Sequence, residues 1–221
     1  ALTDIFSTLG GIAWGPYMLA FIAFTGLYLT IGLKFMPIMK ISYGLKLLKA
    51  KSDDKEKGEI PARSALFTAM SATVGTGNIA GVALAIALGG PGATFWMIVC
   101  GLIGMSTKFV ECTLGVKYRD VGPDGTVYGG PMYYLKKGLS DKGFAKLGKI
   151  TAVIFAICCI GGSFGGGNAA QSNQATVVLK QLMGLESTSA GAVIGLLMAI
   201  LVGLIIIGGI KRIASVTERV V

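Results

Sequence analysis

Apolar residues in this chain neither alternate nor recur on one helical stripe. They run in long blocks near 12–33, 65–88, 93–116, 150–180 and 189–210, separated by short polar or charged connections. A block of that length crosses about 30 Å of hydrocarbon as a helix rising about 1.5 Å per residue. Apolarity on every face fits a lipid solvent better than the one-sided stripe of a soluble helix. The pattern predicts an all-α integral membrane protein with about five transmembrane helices, since in lipid each backbone group must find its partner within the structure. The fourth block is too long for one straight crossing and is interrupted by GGSFGGGN (Gly161–Asn168), so it is either steeply tilted or locally unwound.

Composition supports this reading. Of 221 residues, 53% are hydrophobic and only 14% charged, too few charges to cover a water-facing surface, and the mean hydropathy is +0.71. The net charge of +9 does not form one basic face, which argues against a nucleic-acid partner. Eight Lys and Arg fall in 34–63, seven in 117–149 and three in 211–219, while the connections between them carry only Lys180. The excess of positive charge on cytoplasmic loops places those three regions on the cytoplasmic side of the cell membrane and the N-terminus outside. Ala1–Gly11 carries Asp4 and no basic start, so it does not read as a cleavable signal. Five crossings followed by IKRIASVTERVV look like half of a larger assembly.

Within the second basic region, GPDG (Gly122–Gly125) predicts a turn. GGPMYYLKKGL predicts a short interfacial helix, with Pro131 in its first turn and Gly138 as its C-terminal cap. GGPG (Gly89–Gly92) reads as a tight turn between the second and third spans. Cys100, Cys112, Cys158 and Cys159 lie in apolar stretches with no histidine in the chain, so they read as small apolar residues, not metal ligands or nucleophiles. Lys108 and Glu111, i and i+3 on the third span, read as a self-neutralising pair, with an inner gate or proton coupling as the other reading. Trp14, Tyr17 and Trp96 read as interface anchors.

The second block departs from its own pattern. SATVGTGNIAG (Ser71–Gly81) places Thr73, Gly75, Thr76, Gly77 and Asn78 at mid-span. Gly75 and Gly77 permit a break, because glycine tolerates non-helical backbone angles and brings no side chain to obstruct a ligand. Carbonyls released before such a break suit a cation. N–H groups released after it, at the positive end of a half-helix, suit a carboxylate. Small-residue runs also serve simply to let helices pack closely. Three features weigh against that plainer role: the polar side chains beside the glycines, the mid-span position, and a second interruption, FGGGNAAQSNQ (Phe164–Gln174). In the latter, Asn168, Gln171 and then Asn173 or Gln174 would project amides into a shared cavity. No charged residue lies near Thr73–Asn78, so neutral dipoles would serve a small zwitterion with a co-bound cation. A passive channel and a helix-packing assembly subunit are the competing classes. An enzyme is excluded by the lack of any acid/base or nucleophile constellation.

Six motifs in order carry a resemblance: WGPYML (Trp14–Leu19), ATVGTGNIAGVA (Ala72–Ala83), GGPGATFWM (Gly89–Met97), KYR (Lys117–Arg119), GGPMYYL (Gly129–Leu135) and GNAAQSN (Gly167–Asn173). Together they resemble the alanine or glycine:cation symporter family, over the whole chain. The resemblance implies sodium-coupled, sometimes proton-coupled, carriage of alanine or glycine, with no cofactor beyond sodium as coupling ion. It also implies a leucine-transporter-like fold of two inverted five-helix repeats, of which this chain would hold an extra leading helix and most of the first repeat. The remaining C-terminal half would be a partner, as would membrane lipid. By the same resemblance, Gly75, Thr76, Gly77 and Asn78 meet the substrate, the amides of Thr76 and Gly77 facing its carboxylate. Gln171 and Asn168 are implied as side-chain contacts. Ser71, Thr73 and Val74 would offer carbonyls to sodium, with the Asn78 side chain beside them.

Overall fold

The computed structural model describes residues 2–49, 60–75, 77–185 and 187–220. Among these residues it is helical apart from turns, short connections and one hairpin of two two-residue strands. Four stretches among the described residues are long and apolar enough to cross a membrane, Thr3–Gly32, Gly92–Lys117, Ala145–Leu182 and Ser189–Ile206. A fifth arises if the bent pair Ala62–Thr73 and Asn78–Gly89 is one span. The chain divides into two compact units, Ala1–Lys49 with Gly89–Leu114, and Ala50–Leu88 with Gly115–Val221.

In the first unit, α1 (Leu2–Ala13) and α2 (Pro16–Gly32) meet at a kink where Pro16 opens the second helix. The apolar helix thus begins well before residue 12, because Leu2–Ala13 remains helical around Asp4 and its polar neighbours. Lys34 and Phe35 both adopt left-handed backbone angles after α2 and deliver the chain into α3 (Met36–Met39) and α4 (Ile41–Lys49). Charge counting alone reads this segment as loop. The long α7 (Gly92–Lys117) passes α2 closely where Gly26 faces Ile103: a Cβ at Gly26 would overlap the Ile103 side chain. One turn away the buried Thr30 hydroxyl bonds the Gly26 carbonyl (2.7 Å) and the fully buried Ser106 hydroxyl (2.9 Å). Lys108 Nζ and Glu111 Oε2 pair at 3.1 Å on α7, as their spacing predicts.

In the second unit, α5 (Ala62–Thr73) is followed by a break, a π-helical turn (Gly77–Gly81) and α6 (Val82–Gly89). Gly90, at φ 65°, then makes the tight turn into α7. After α7, β1 (Asp120–Val121) pairs antiparallel with β2 (Val127–Tyr128) around the GPDG turn, where Gly125 takes φ 81°. The Thr126 hydroxyl and amide both donate to Asp124, holding its carboxyl below the usual aspartate range.

The helix α8 (Pro131–Asp141) starts at Pro131 as predicted, but it runs through Gly138. Its cap is Gly143 instead, at φ 85°, with Gly143 N–H donating to the Ser140 carbonyl and Phe144 N–H to that of Leu139. Gly138 lies beside the Tyr118 ring, where a Cβ would stand at ordinary van der Waals distance, 3.4 Å. The helices α9 (Ala145–Gly162) and α10 (Ala170–Leu182) join through a π-helical stretch (Ser163–Ala169) into 38 continuous residues. The glycine-rich interruption therefore widens the helix and does not unwind it. At about 1.5 Å per residue this rod is roughly 57 Å long, far more than the hydrocarbon it must cross.

Ser187 caps α11 (Thr188–Ile206), which ends earlier than its apolar block. Gly209, at φ 69°, then starts α12 (Gly209–Val220), a helix in the charged stretch that follows the last apolar block. Charged positions every few residues masked its amphipathic period. α12 packs on α5 through polar groups. Ser64 Oγ donates to Glu218 Oε2 (2.7 Å), Arg63 Nε lies 3.4 Å from Glu218 Oε1, and the Thr68 and Thr217 hydroxyls meet at 3.2 Å.

Two outcomes test these packings. Gly26→Leu should destabilise the protein by about 1–3 kcal/mol, the usual cost of forcing extra atoms into a close contact. Thermal unfolding in detergent reads it, and an unshifted midpoint would refute the close crossing. A double-mutant cycle of Ser64→Ala and Glu218→Ala should give a coupling of about 1–2 kcal/mol, in the range of hydrogen bonds to charged groups. Additive effects would mean that the two side chains do not interact.

Candidate functional site

The break in the second span has a definite geometry. Thr73 ends α5, Val74 turns extended (φ −80°, ψ 112°), and its amide closes the last helical rung on the Met70 carbonyl at 2.8 Å. The carbonyls of a last helical turn have no rung of their own to follow. Across the break the Asn78 amide donates to the Gly75 carbonyl at 3.0 Å. The two helical stretches bend by 57° relative to one another. Thr73 Oγ1 donates to the Ala69 carbonyl one turn back (2.8 Å), which leaves the oxygen's lone pairs available. Ser71 is half-buried, while Thr73, Val74 and Asn78 are exposed.

Facing this break is α10. Were Gly75 to carry a Cβ, the carboxamide oxygen and nitrogen of Gln171 would each stand 3.1 Å from it. The Gln171 carboxamide thus lies close to the Gly75 backbone, and a Cβ there would make it shift by a few tenths of an ångström. Gly75, Asn168 and Gln171 share the wall of a cavity of about 980 Å³. One side of that cavity is polar: Asn168, Gln171, Ser172, Asn173 and Thr176, all from the π-helical stretch and α10. The other side, from α11, is apolar, with Met198, Ala199, Val202 and Ile206.

The structure thus brings together three of the residues singled out in the sequence, Gly75, Asn168 and Gln171. Ser71, Thr73, Val74 and Asn78 lie outside the cavity wall, Gly77 opens the π-helical turn, and Thr76 lies outside the described residues. Of the two alternatives beyond Gln171, Asn173 lines the cavity and Gln174 does not. Sequence reasoning missed Ser172 and Thr176. Their spacing from Asn168 (i+4, i+8) is a helical stripe that periodicity would have found. It also missed α11, whose Gly195, Ala199 and Gly203 at four-residue intervals read as ordinary packing.

The π-helical stretch has its own local cause. Gly165, Gly166 and Gly167 hold a regular α-helix poorly, and a widened turn is a common feature of functional sites in helices. Asn168 lies within it, and Gln171, three residues on, shares the same cavity wall.

Four or five candidate spans among the described residues, one of them bent at a break beside the cavity, define a multi-pass membrane protein. It belongs to the sodium:alanine symporter family, which it matches over residues 1–221. It is 44% identical over 219 residues to the sodium/alanine symporter AgcS of Methanococcus maripaludis, covering 99% of this chain and 47% of that protein. To the Bacillus subtilis protein named Probable sodium/glutamine symporter GlnT it is 34% identical over 221 residues, 100% of this chain and 44% of that one. To Amino-acid carrier protein AlsT of the same organism it is 35% identical over 198 residues, 89% and 39% of the two chains. The chain therefore spans about half the length of the curated relatives it matches. These relatives are named as transporters, not as enzymes. No solved structure matches it.

If the cavity is wet, cysteines placed on its wall will ionise and react, whereas lipid-facing ones will not. In a background lacking the four native cysteines, Asn168→Cys, Asn173→Cys and Thr176→Cys should react with a charged thiol reagent roughly tenfold or more faster than Val178→Cys and Val193→Cys. Equal rates at all five positions would mean that no aqueous cavity exists there.

Proposed function

We propose that this chain forms part of a secondary transporter that carries a small neutral amino acid, alanine or glycine, into the cell together with sodium. The observation that carries the reading is the Gln171 carboxamide lying against the Gly75 backbone at a broken span, beside a cavity polar on one wall and apolar on the other. Family membership and the names of the relatives support sodium-coupled amino-acid symport, and the half-polar cavity matches a zwitterion bearing a short aliphatic side chain.

In this mechanism the substrate carboxylate meets the backbone amides of Thr76 and Gly77 at the start of the second half-helix, where the helix dipole favours negative charge. Gly75 gives it room, and Gln171, with Asn168, hydrogen-bonds the amino acid. Sodium sits at the opposite end of the break, held by carbonyls of Ser71, Thr73 and Val74 and by the Asn78 side chain. The Asn78 amide is used by the Gly75 carbonyl, so its contribution comes through its carboxamide. Cation and solute share one piece of backbone. Each therefore raises affinity for the other by the same factor. Transport proceeds by alternating access, with the basic segments 34–63 and 117–149 cytoplasmic and the N-terminus outside. The chain would supply an extra leading helix and most of the first repeat of a leucine-transporter-like fold. The rest of the protein completes both binding sites.

The test is uptake of radiolabelled alanine and glycine by proteoliposomes holding the whole transporter. Uphill accumulation should require an inward sodium gradient. Gly77→Leu should abolish it without preventing membrane insertion. Gln171→Ala should raise the apparent KM by roughly tenfold, the loss of about one buried hydrogen bond. Uptake that is non-saturable and indifferent to sodium would make the protein a pore and overturn the assignment.

A further inference from the structure

Among the described residues the most extensive packing of one helix on another is that of α8 on α9, which does not involve the broken span. Gly148, on α9, makes it possible: a Cβ there would stand 2.8 Å from the Leu135 carbonyl and 3.1 Å from that of Lys136. Ala152, one turn further along, is buried as well. Beside this contact lies an open cleft of about 550 Å³.

Its walls divide by chemistry. Met132 on α8 and Ala152, Val153 and Ala156 on α9 make an apolar wall, and the α9 residues follow one helical face. Lys136, Lys137 and Lys149 stand at the same cleft with Asp120. Lys137 is engaged, since it pairs with Asp120 and its ammonium lies 5.8 Å from the Tyr133 ring centroid. Among the described residues Lys136 and Lys149 make no ion pair. A smaller neighbouring cavity of about 290 Å³ is bordered by the same three lysines, with Tyr118, Ser140 and Asp141. Lys149 sits near the start of the membrane-spanning stretch Ala145–Leu182, and the apolar wall continues along that helix. Two uncommitted ammonium groups thus stand where a spanning helix begins, directly above a strip of aliphatic surface.

We propose that this cleft binds one anionic phospholipid, its phosphate between Lys136 and Lys149 and an acyl chain along the Ala152, Val153 and Ala156 face of α9. Two features select a lipid over a soluble anion. A free phosphate would use the lysines and leave the apolar wall idle, and basic residues at a membrane surface face anionic headgroups by position. A zwitterionic lipid would satisfy the wall but offers the lysines no net charge. The proposal depends on the chain crossing a membrane and not on what it transports, so it survives failure of the symport assignment.

Native mass spectrometry of the whole transporter in detergent, titrated with phosphatidylglycerol and with phosphatidylcholine, tests it. Phosphatidylglycerol should bind at least about tenfold more tightly, and Lys136→Gln with Lys149→Gln should weaken it by roughly 10- to 30-fold. The conservative pair Lys136→Arg with Lys149→Arg should retain binding, which separates lost charge from lost fold. Lys142→Gln with Lys146→Gln removes the same charge from exposed positions outside both cavities. That pair should change affinity by less than about threefold. Equal losses in the two glutamine pairs would reveal diffuse attraction and overturn the site. Equal affinity for the two lipids, or displacement of phosphatidylglycerol by inorganic phosphate at matched concentration, would overturn it too.

Discussion

A backbone N–H or C=O facing hydrocarbon has no water to fall back on, and the architecture of this chain follows from that shortage. Long helices satisfy it by construction, so the informative places are the departures. At the broken span the Val74 amide closes on Met70 and the Asn78 amide on Gly75. In the rod from α9 to α10 the departure is only a widened turn, which keeps the ladder continuous. Side-chain hydroxyls obey the same constraint: Thr25, Thr73, Thr113, Ser163 and Thr176 each donate to a carbonyl one turn back on their own helix.

Because lipid is as apolar as leucine, burying large side chains gains little here, and the described helices meet through small ones. Gly26, Thr30, Ser106, Gly148 and Ala152 are the buried positions at their contacts, while most large apolar residues face outward. Glycine thereby acquires two separate roles. At Gly26 and Gly148 it brings helices together, and at Gly75 it lets a side-chain amide touch the main chain.

The number and rough position of the spans were legible from hydropathy, since lipid makes that signal nearly independent of tertiary context. α7 spans the predicted block to within about a residue at each end. Elements at the water interface were less legible. α4 and α12 carry charges at positions that a loop would also tolerate, and their helicity depends on a surface to lie against. Gly138 misled for a related reason, because a glycine can sit inside a helix while a later one, here Gly143, takes the left-handed cap. At the site, glycines beside amides pointed to Gly75, Asn168 and Gln171, and these three lie on the wall of one cavity. The apolar wall from α11 was invisible because nothing distinguishes a Met or Val facing a cavity from one facing lipid.

The contact between α5 and α12 has a consequence for how the protein is made. Ser64 and Glu218 are 154 residues apart. At about 5–20 residues per second, α5 has left the ribosome roughly 8–30 s before its partner is synthesised. Throughout that interval Arg63, Ser64 and Thr68 have nothing of α12 to bond. The first half of the broken span is thus translated well before the helix that anchors it, and the order of synthesis leaves it adjustable until α12 arrives.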